Sequence, residues 1–128
     1  MAIANLHEML LSYTKQQASI NAKLGEVFMD LACATRSYAA KQQQYNEQVQ
    51  NYYYQYNETD PDMYYDLIEI LENEHELDLA RLESWESSVE VEKNELETQL
   101  SEVTTFRDNF MKLLSNNIKK DFTYGSVS

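Results

Sequence analysis

Two glycines and one proline in 128 residues leave this chain almost without turn chemistry. A sheet protein reverses about every 8–12 residues and fills those reversals with glycine, proline and asparagine. A β-architecture is therefore excluded, and nearly the whole chain is expected as helix. The single cysteine, Cys33, rules out an internal disulfide; set between Ala32 and Ala34, it reads as a packed thiol suited to a reducing compartment. No apolar run approaches the roughly 18 residues of a membrane span, and the start MAIANLHEMLLSYTK has no basic stretch ahead of an apolar core. Neither a membrane span nor signal cleavage is expected, so the location expected is the cytoplasm or, after export without a cleaved signal, outside it. Zinc-spaced cysteines, a glycine-rich phosphate loop and a Ser/His/Asp set are all missing, and neither catalysis nor a cofactor is expected.

What the chain has is a hydrophobic fraction of 43% and a net charge of -12, unevenly placed. Residues 1–60 hold six acidic and four basic side chains; residues 61–104 hold fourteen acidic against Arg81 and Lys93; residues 105–128 hold two acidic against four basic. The apolar content argues for one folded domain. The acidic middle repels phosphate backbones, so no nucleic-acid partner is expected. It reads as a solvated face, or as a surface matched to a basic protein partner.

Counting in sevens from Ile3 passes through Leu10, Gln17, Leu24, Leu31, Tyr38, Tyr45 and Tyr52, with Leu6, Tyr13, Ile20, Val27 and Ala34 interleaved. That is a heptad seam, which relaxes toward the 3.6-residue period at Val49 and Tyr56. A first helix is predicted over 3–56 and a turn over 57–60, where Asn57-Glu58-Thr59 is a turn rather than a glycosylation site. Asp60 is the expected cap of a second helix, with Pro61 at its first position and Asp62 near its positive end. The second seam is read as Ile68, His75, Leu82, Val89, Leu96, Val103 and Phe110, with Leu71, Trp85, Phe106 and Leu113 interleaved and Leu79, Leu100 and Leu114 at its border. This helix is predicted over 61–120, followed by a flexible tail at 121–128. The expected fold is all-α: a long antiparallel two-helix hairpin, coiled-coil-like, a rod of roughly 80 Å at 1.5 Å per residue. Its register places Leu10 near Phe110, Leu24 near Leu96, Tyr38 near Leu82 and Tyr52 near Ile68.

A hairpin buries one stripe per helix, and each helix has a second. Ala4, Leu11, Ala18, Gly25, Ala32 and Ala39 recur every seven residues on the first helix, as do Met63, Ile70, Leu77, Ser84 and Val91 on the second. Both stripes are expected as contact faces for further copies of the chain. The turn is crowded with tyrosines: Tyr52 and Tyr56 fall on the seam, whereas Tyr53, Tyr54, Tyr64 and Tyr65 point elsewhere. Tyrosine is enriched at protein contacts, so an aromatic tip is a further expected interface.

One constellation has the spacing of a metal site. Glu72-x-x-His75 is the pattern by which ferritin-like bundles place a carboxylate and an imidazole on one helix face, and Glu47 falls almost opposite Glu72, with Tyr45 nearby. Two hairpins face to face would offer two such sets for iron or manganese. In an acidic helix the spacing also arises by chance, and His75 facing Gln42 or Gln43 reads equally as a packed polar residue.

In outline, two long helices around Asp60-Pro61-Asp62 and an amphipathic C-terminal stretch FRDNFMKLLSNNIKKDF resemble the small helical-hairpin subunits that bacteria export through contact-dependent machines: type III needle and filament proteins and, more distantly, the WXG100 group. Trp85 is followed by Glu86 and Ser87, not by the Trp-x-Gly turn of the latter. The resemblance implies export and polymerisation, and no functional residue carries over. The function expected is that of a non-enzymatic structural protein that self-associates, with an acidic adaptor or export chaperone as the alternative and a di-metal bundle third.

Overall fold

The structure, a computed structural model, describes the backbone of residues 3–127 and the side chains of residues 3–120. It is an all-α helical hairpin of two long helices packed against each other, α1 (Ile3–Tyr56) and α2 (Pro61–Val127). The tail expected at 121–128 lies outside the fully described residues.

The reversal is made without glycine, and no described residue has a positive φ. Asn57 N–H donates to the Tyr53 carbonyl at 3.1 Å and Asp60 N–H to the Tyr56 carbonyl at 2.8 Å. The Thr59 hydroxyl donates to the Gln55 carbonyl at 3.0 Å. The last carbonyls of α1, which have no partner within a helix, are thus satisfied by the turn itself. Asp60 then caps α2 as its position predicts: its carboxylate accepts from Met63 N–H at 3.2 Å, and its carbonyl accepts from Tyr64 N–H at 3.1 Å. Pro61 lacks only an amide that would have had no helical partner.

The chain divides into two compact units. The terminal unit (Met1–Glu26 with Glu92–Ser128) has an aliphatic seam: Leu6, Leu10, Ile20 and Leu24 of α1 and Leu96 of α2 are buried. Its polar seam positions are paired across the helices. Gln17 Nε2 donates to the Thr104 hydroxyl at 2.8 Å, and Arg107 Nε donates to the Thr14 hydroxyl at 3.3 Å. Tyr13 stacks on both Phe106 and Phe110, with ring centroids 5.9 and 5.5 Å apart. Leu10 and Phe110 therefore occupy the register their spacing predicts, since Tyr13 and Thr14 reach Phe110 and Arg107.

The turn unit (Val27–Val91) buries only Val27, Ala34 and Val89 among its described residues. From Tyr38 to the turn its seam is half-buried and mixed: Tyr38, Lys41, Tyr45, Val49, Tyr52 and Tyr56 from α1, with Tyr64, His75 and Asp78 and the aliphatic Ile68, Leu71 and Leu79 from α2. Lys41 Nζ meets Asp78 Oδ2 at 3.4 Å, and Tyr45 stacks on His75 at 4.5 Å.

Two expectations are corrected. On α2 the positions that alternate with Leu82, Val89, Leu96, Val103 and Phe110 lie four residues on, not three. Leu79, Glu86, Lys93, Leu100, Arg107 and Leu114 are half-buried, whereas Trp85, Phe106 and Leu113 are exposed. A count of apolar residues misses this because Glu86, Lys93 and Arg107 are half-buried, as the aliphatic stems of long charged side chains allow. Cys33 is also exposed rather than packed. At 100° per residue the adjacent Ala34 faces the seam, and Cys33 is turned away from it.

Candidate interaction surfaces

Every position of the two second stripes that falls in the described residues is exposed. In the terminal unit these are Ala4, Leu11, Ala18 and Gly25; in the turn unit, Ala32, Ala39, Met63, Ile70, Leu77, Ser84 and Val91. The α2 stripe is the more informative, because its large side chains gain nothing from the hairpin: Ile70 is 55% exposed, Leu77 51% and Val91 57%. All three stand among carboxylates on the outward face of a helix whose seam is elsewhere. At Gly25 an added Cβ would meet nothing within 4 Å, so the hairpin's own packing does not require a glycine.

The tyrosines of the turn form a chain of edge-to-face contacts across the two helices. Tyr54 meets Tyr53 at 5.8 Å, Tyr53 meets Tyr64 at 5.9 Å, and Tyr64 meets Tyr65 at 5.5 Å. Edge-to-face geometry sets the positive rim of one ring against the negative face of the next. The inner pair, Tyr53 and Tyr64, thereby joins α1 to α2. The outer pair is left to solvent, Tyr54 at 82% and Tyr65 at 69%. Tyr52 and Tyr56 lie on the seam, as expected, 6.4 Å apart. Sequence spacing separated seam from non-seam rings but could not divide the latter into inner and outer, because that depends on how the turn rotates α2 about its axis.

Beside the seam, Lys41, Tyr45, Gln48, Asn51, Glu74 and His75 line an open groove of about 380 Å³. Glu47 and His75 border this groove and Glu72 does not, so the three metal candidates are not brought to a common point. His75 Nε2 lies 3.3 Å from Gln42 Oε1, Glu47 accepts from Gln43 Nε2 at 3.3 Å, and Glu72 stands near the Tyr45 phenol. Among the described residues, no group of three or more His, Cys, Asp or Glu side chains could hold a metal ion. Glu72 and His75 do share a neighbour, as their spacing on one helix face predicts, but that neighbour is Tyr45.

The Tyr45 phenol is pushed above the ordinary tyrosine value, first by burial and then by the Glu72 carboxylate, with Tyr64 and Glu76 adding to it. Tyr38 is pushed up in the same sense by burial, then by Glu86 and Glu83. Both shifts arise in the turn unit, where the carboxylates are dense. From Gln42 to Ala80 the chain has ten carboxylates and no lysine or arginine.

Among the described residues no helix is long and apolar enough to cross a membrane. No family model, curated protein or solved structure matches the chain.

Proposed function

We propose that this chain is a non-enzymatic structural subunit, a helical hairpin that self-associates and builds a filament or other helical assembly. The observation that carries this reading is the outward stripe of α2, where Met63, Ile70, Leu77 and Val91 recur on an exposed face of an otherwise acidic helix. Isolated surface leucines are ordinary, but a regular row of large apolar side chains is the mark of a contact face. Surface area supports it. The chain exposes 9440 Å², whereas a folded monomer of 15.0 kDa exposes about 7,000 Å². The excess, about 2,400 Å² on one chain, is larger than the roughly 800 Å² that each partner buries in a standard interface, so it leaves room for contacts on more than one face. The exposed tyrosines Tyr54 and Tyr65, and on α1 the row Ala18, Gly25, Ala32 and Ala39, which would let another helix approach closely, extend the same reading to further faces. An assembly of this kind is the form in which exported hairpin subunits of the outline described above work.

The run of ten carboxylates without a lysine or arginine, from Gln42 to Ala80, favours a second reading. In it the turn unit is an acidic adaptor or chaperone surface for a basic protein partner, reached by electrostatic steering.

The test is the double substitution Ile70→Glu with Leu77→Glu. It places charge on the outward stripe while sparing the seam, so helix content is expected to stay unchanged while association falls at least a hundredfold in analytical ultracentrifugation. Unchanged association of a folded double variant would remove this face from the account.

A further inference from the structure

The terminal unit leaves an apolar surface that the proposed lateral contacts do not use. Phe106 and Leu113, both exposed, lie seven residues apart on one flank of α2, and Phe106 stacks on Tyr13 of α1. Ridge positions seven apart on a helix share a face, so these two and the Tyr13 ring make one aromatic and aliphatic patch. Its surroundings differ in charge from the rest of α2. Around it, between residues 102 and 120, Arg107, Lys112, Lys119 and Lys120 stand against Glu102 and Asp108, and the three lysines are exposed. The hairpin's turn offers the complement. Tyr54 and Tyr65 are its outer rings, and Glu58, Asp60, Asp62 and Asp66 surround them without a lysine or arginine. One surface is apolar with a basic rim, and the other is aromatic with an acidic rim.

We infer that the Phe106–Leu113 face of one copy receives the tyrosine-coated turn of a second copy, with Lys112, Lys119 and Lys120 set against the carboxylates of the turn. The contact is heterologous, since the two surfaces that meet are different, and such contacts repeat into open chains unless their rotation closes a ring. This inference rests on the self-association proposed above and adds its direction. Opposite rims fix the orientation, because two turns brought together would set carboxylate against carboxylate. Added salt weakens the lysine–carboxylate component by screening while leaving the ring contacts in place.

A heterologous contact can be tested by complementation. The background is the Ala18→Glu, Ala32→Glu, Ile70→Glu, Leu77→Glu protein, in which both lateral stripes are charged and any remaining association is end to end. Into it go separately Leu113→Glu, which spoils the receiving face outside the seam, and Tyr54→Ser with Tyr65→Ser, which spoils the turn while keeping the inner rings. Circular dichroism confirms that each variant retains its helix. The background protein is expected to form chains, each end variant alone to be monomeric at the same concentration, and an equimolar mixture of the two to form a one-to-one complex that grows no further. A mixture that stays monomeric while the background chains, or an end variant that still chains alone, overturns the assignment. A background protein that is itself monomeric, where unaltered protein assembles, also overturns it and leaves lateral self-association standing. Unaltered protein that stays monomeric ends both readings.

Discussion

The two units of this hairpin solve the same packing problem with different residues. The terminal unit closes its seam with Leu6, Leu10, Ile20, Leu24 and Leu96, all buried. The turn unit buries Val27, Ala34 and Val89 and then relies on half-buried tyrosines and aliphatic residues, a stacked Tyr45–His75 pair and the Lys41–Asp78 ion pair. An ion pair of this exposure contributes about 0–1 kcal/mol, far less than a buried leucine. Meanwhile the turn unit leaves Ile70, Leu77 and Val91 outside. The difference teaches that in the turn unit large apolar side chains stand outside the seam as well as along it. The unit with the thinner core is the one with the richer exterior.

The largest expected effect separates the two seams. Leu6 is fully enclosed, so Leu6→Ala removes buried methyl groups and leaves a cavity; it is expected to destabilise the terminal unit by about 2–5 kcal/mol in urea unfolding. Tyr52→Phe in the turn unit, which removes a hydroxyl from a half-buried ring, is expected to cost under about 1 kcal/mol. Equal costs would mean that the two seams carry the same load and that the contrast between them is false.

An intermediate effect concerns pH. Tyr38 and Tyr45 have folded-state pKa values raised above the ordinary tyrosine value of about 10. The stability linked to their protonated forms is therefore fully present below about pH 10 and lost as pH rises through the folded values. Amide exchange at alkaline pH is expected to rise first in the turn unit, together with tyrosinate absorbance, and Tyr45→Phe should remove part of that loss. Loosening that begins in the terminal unit would contradict the assignment.

The smallest effect is at Gly25, where there is room for a Cβ. In the monomer Gly25→Ala is expected to stabilise the helix by up to about 1 kcal/mol. If a second helix packs closely along Ala18, Gly25 and Ala32, the same substitution weakens assembly while raising monomer stability. Thermal unfolding and sedimentation of one variant read both signs.

How much of this was legible in the sequence follows from what each signal measures. The α1 seam was plain because aliphatic side chains fill it, and the turn was plain because Asp60-Pro61 can do little else than start a helix. The α2 seam was misread by one position wherever a charged residue occupied it: Glu86, Lys93 and Arg107 are invisible to a count of apolar residues, and Trp85 and Leu113 attracted an assignment that their rotation denies them. The Glu72 and His75 pair was placed on one face correctly. What the spacing could not show was that Tyr45 stacks on His75 and stands near enough to Glu72 for that carboxylate to raise its pKa, so that both residues face a ring. The Phe106–Leu113 patch was hidden for a related reason: both residues were counted as seam, which removed them from the exterior where they stand.

The central claim is that the exposed row on α2 is a contact face between copies of this chain. Sedimentation equilibrium of the unaltered protein across a wide concentration range tests it most directly. The account predicts a mass that rises with concentration beyond that of one 15.0 kDa chain and rises far less in the Ile70→Glu, Leu77→Glu variant, in which the α2 contact face is charged and the end-to-end contacts are kept. A mass of one chain at every concentration would contradict it.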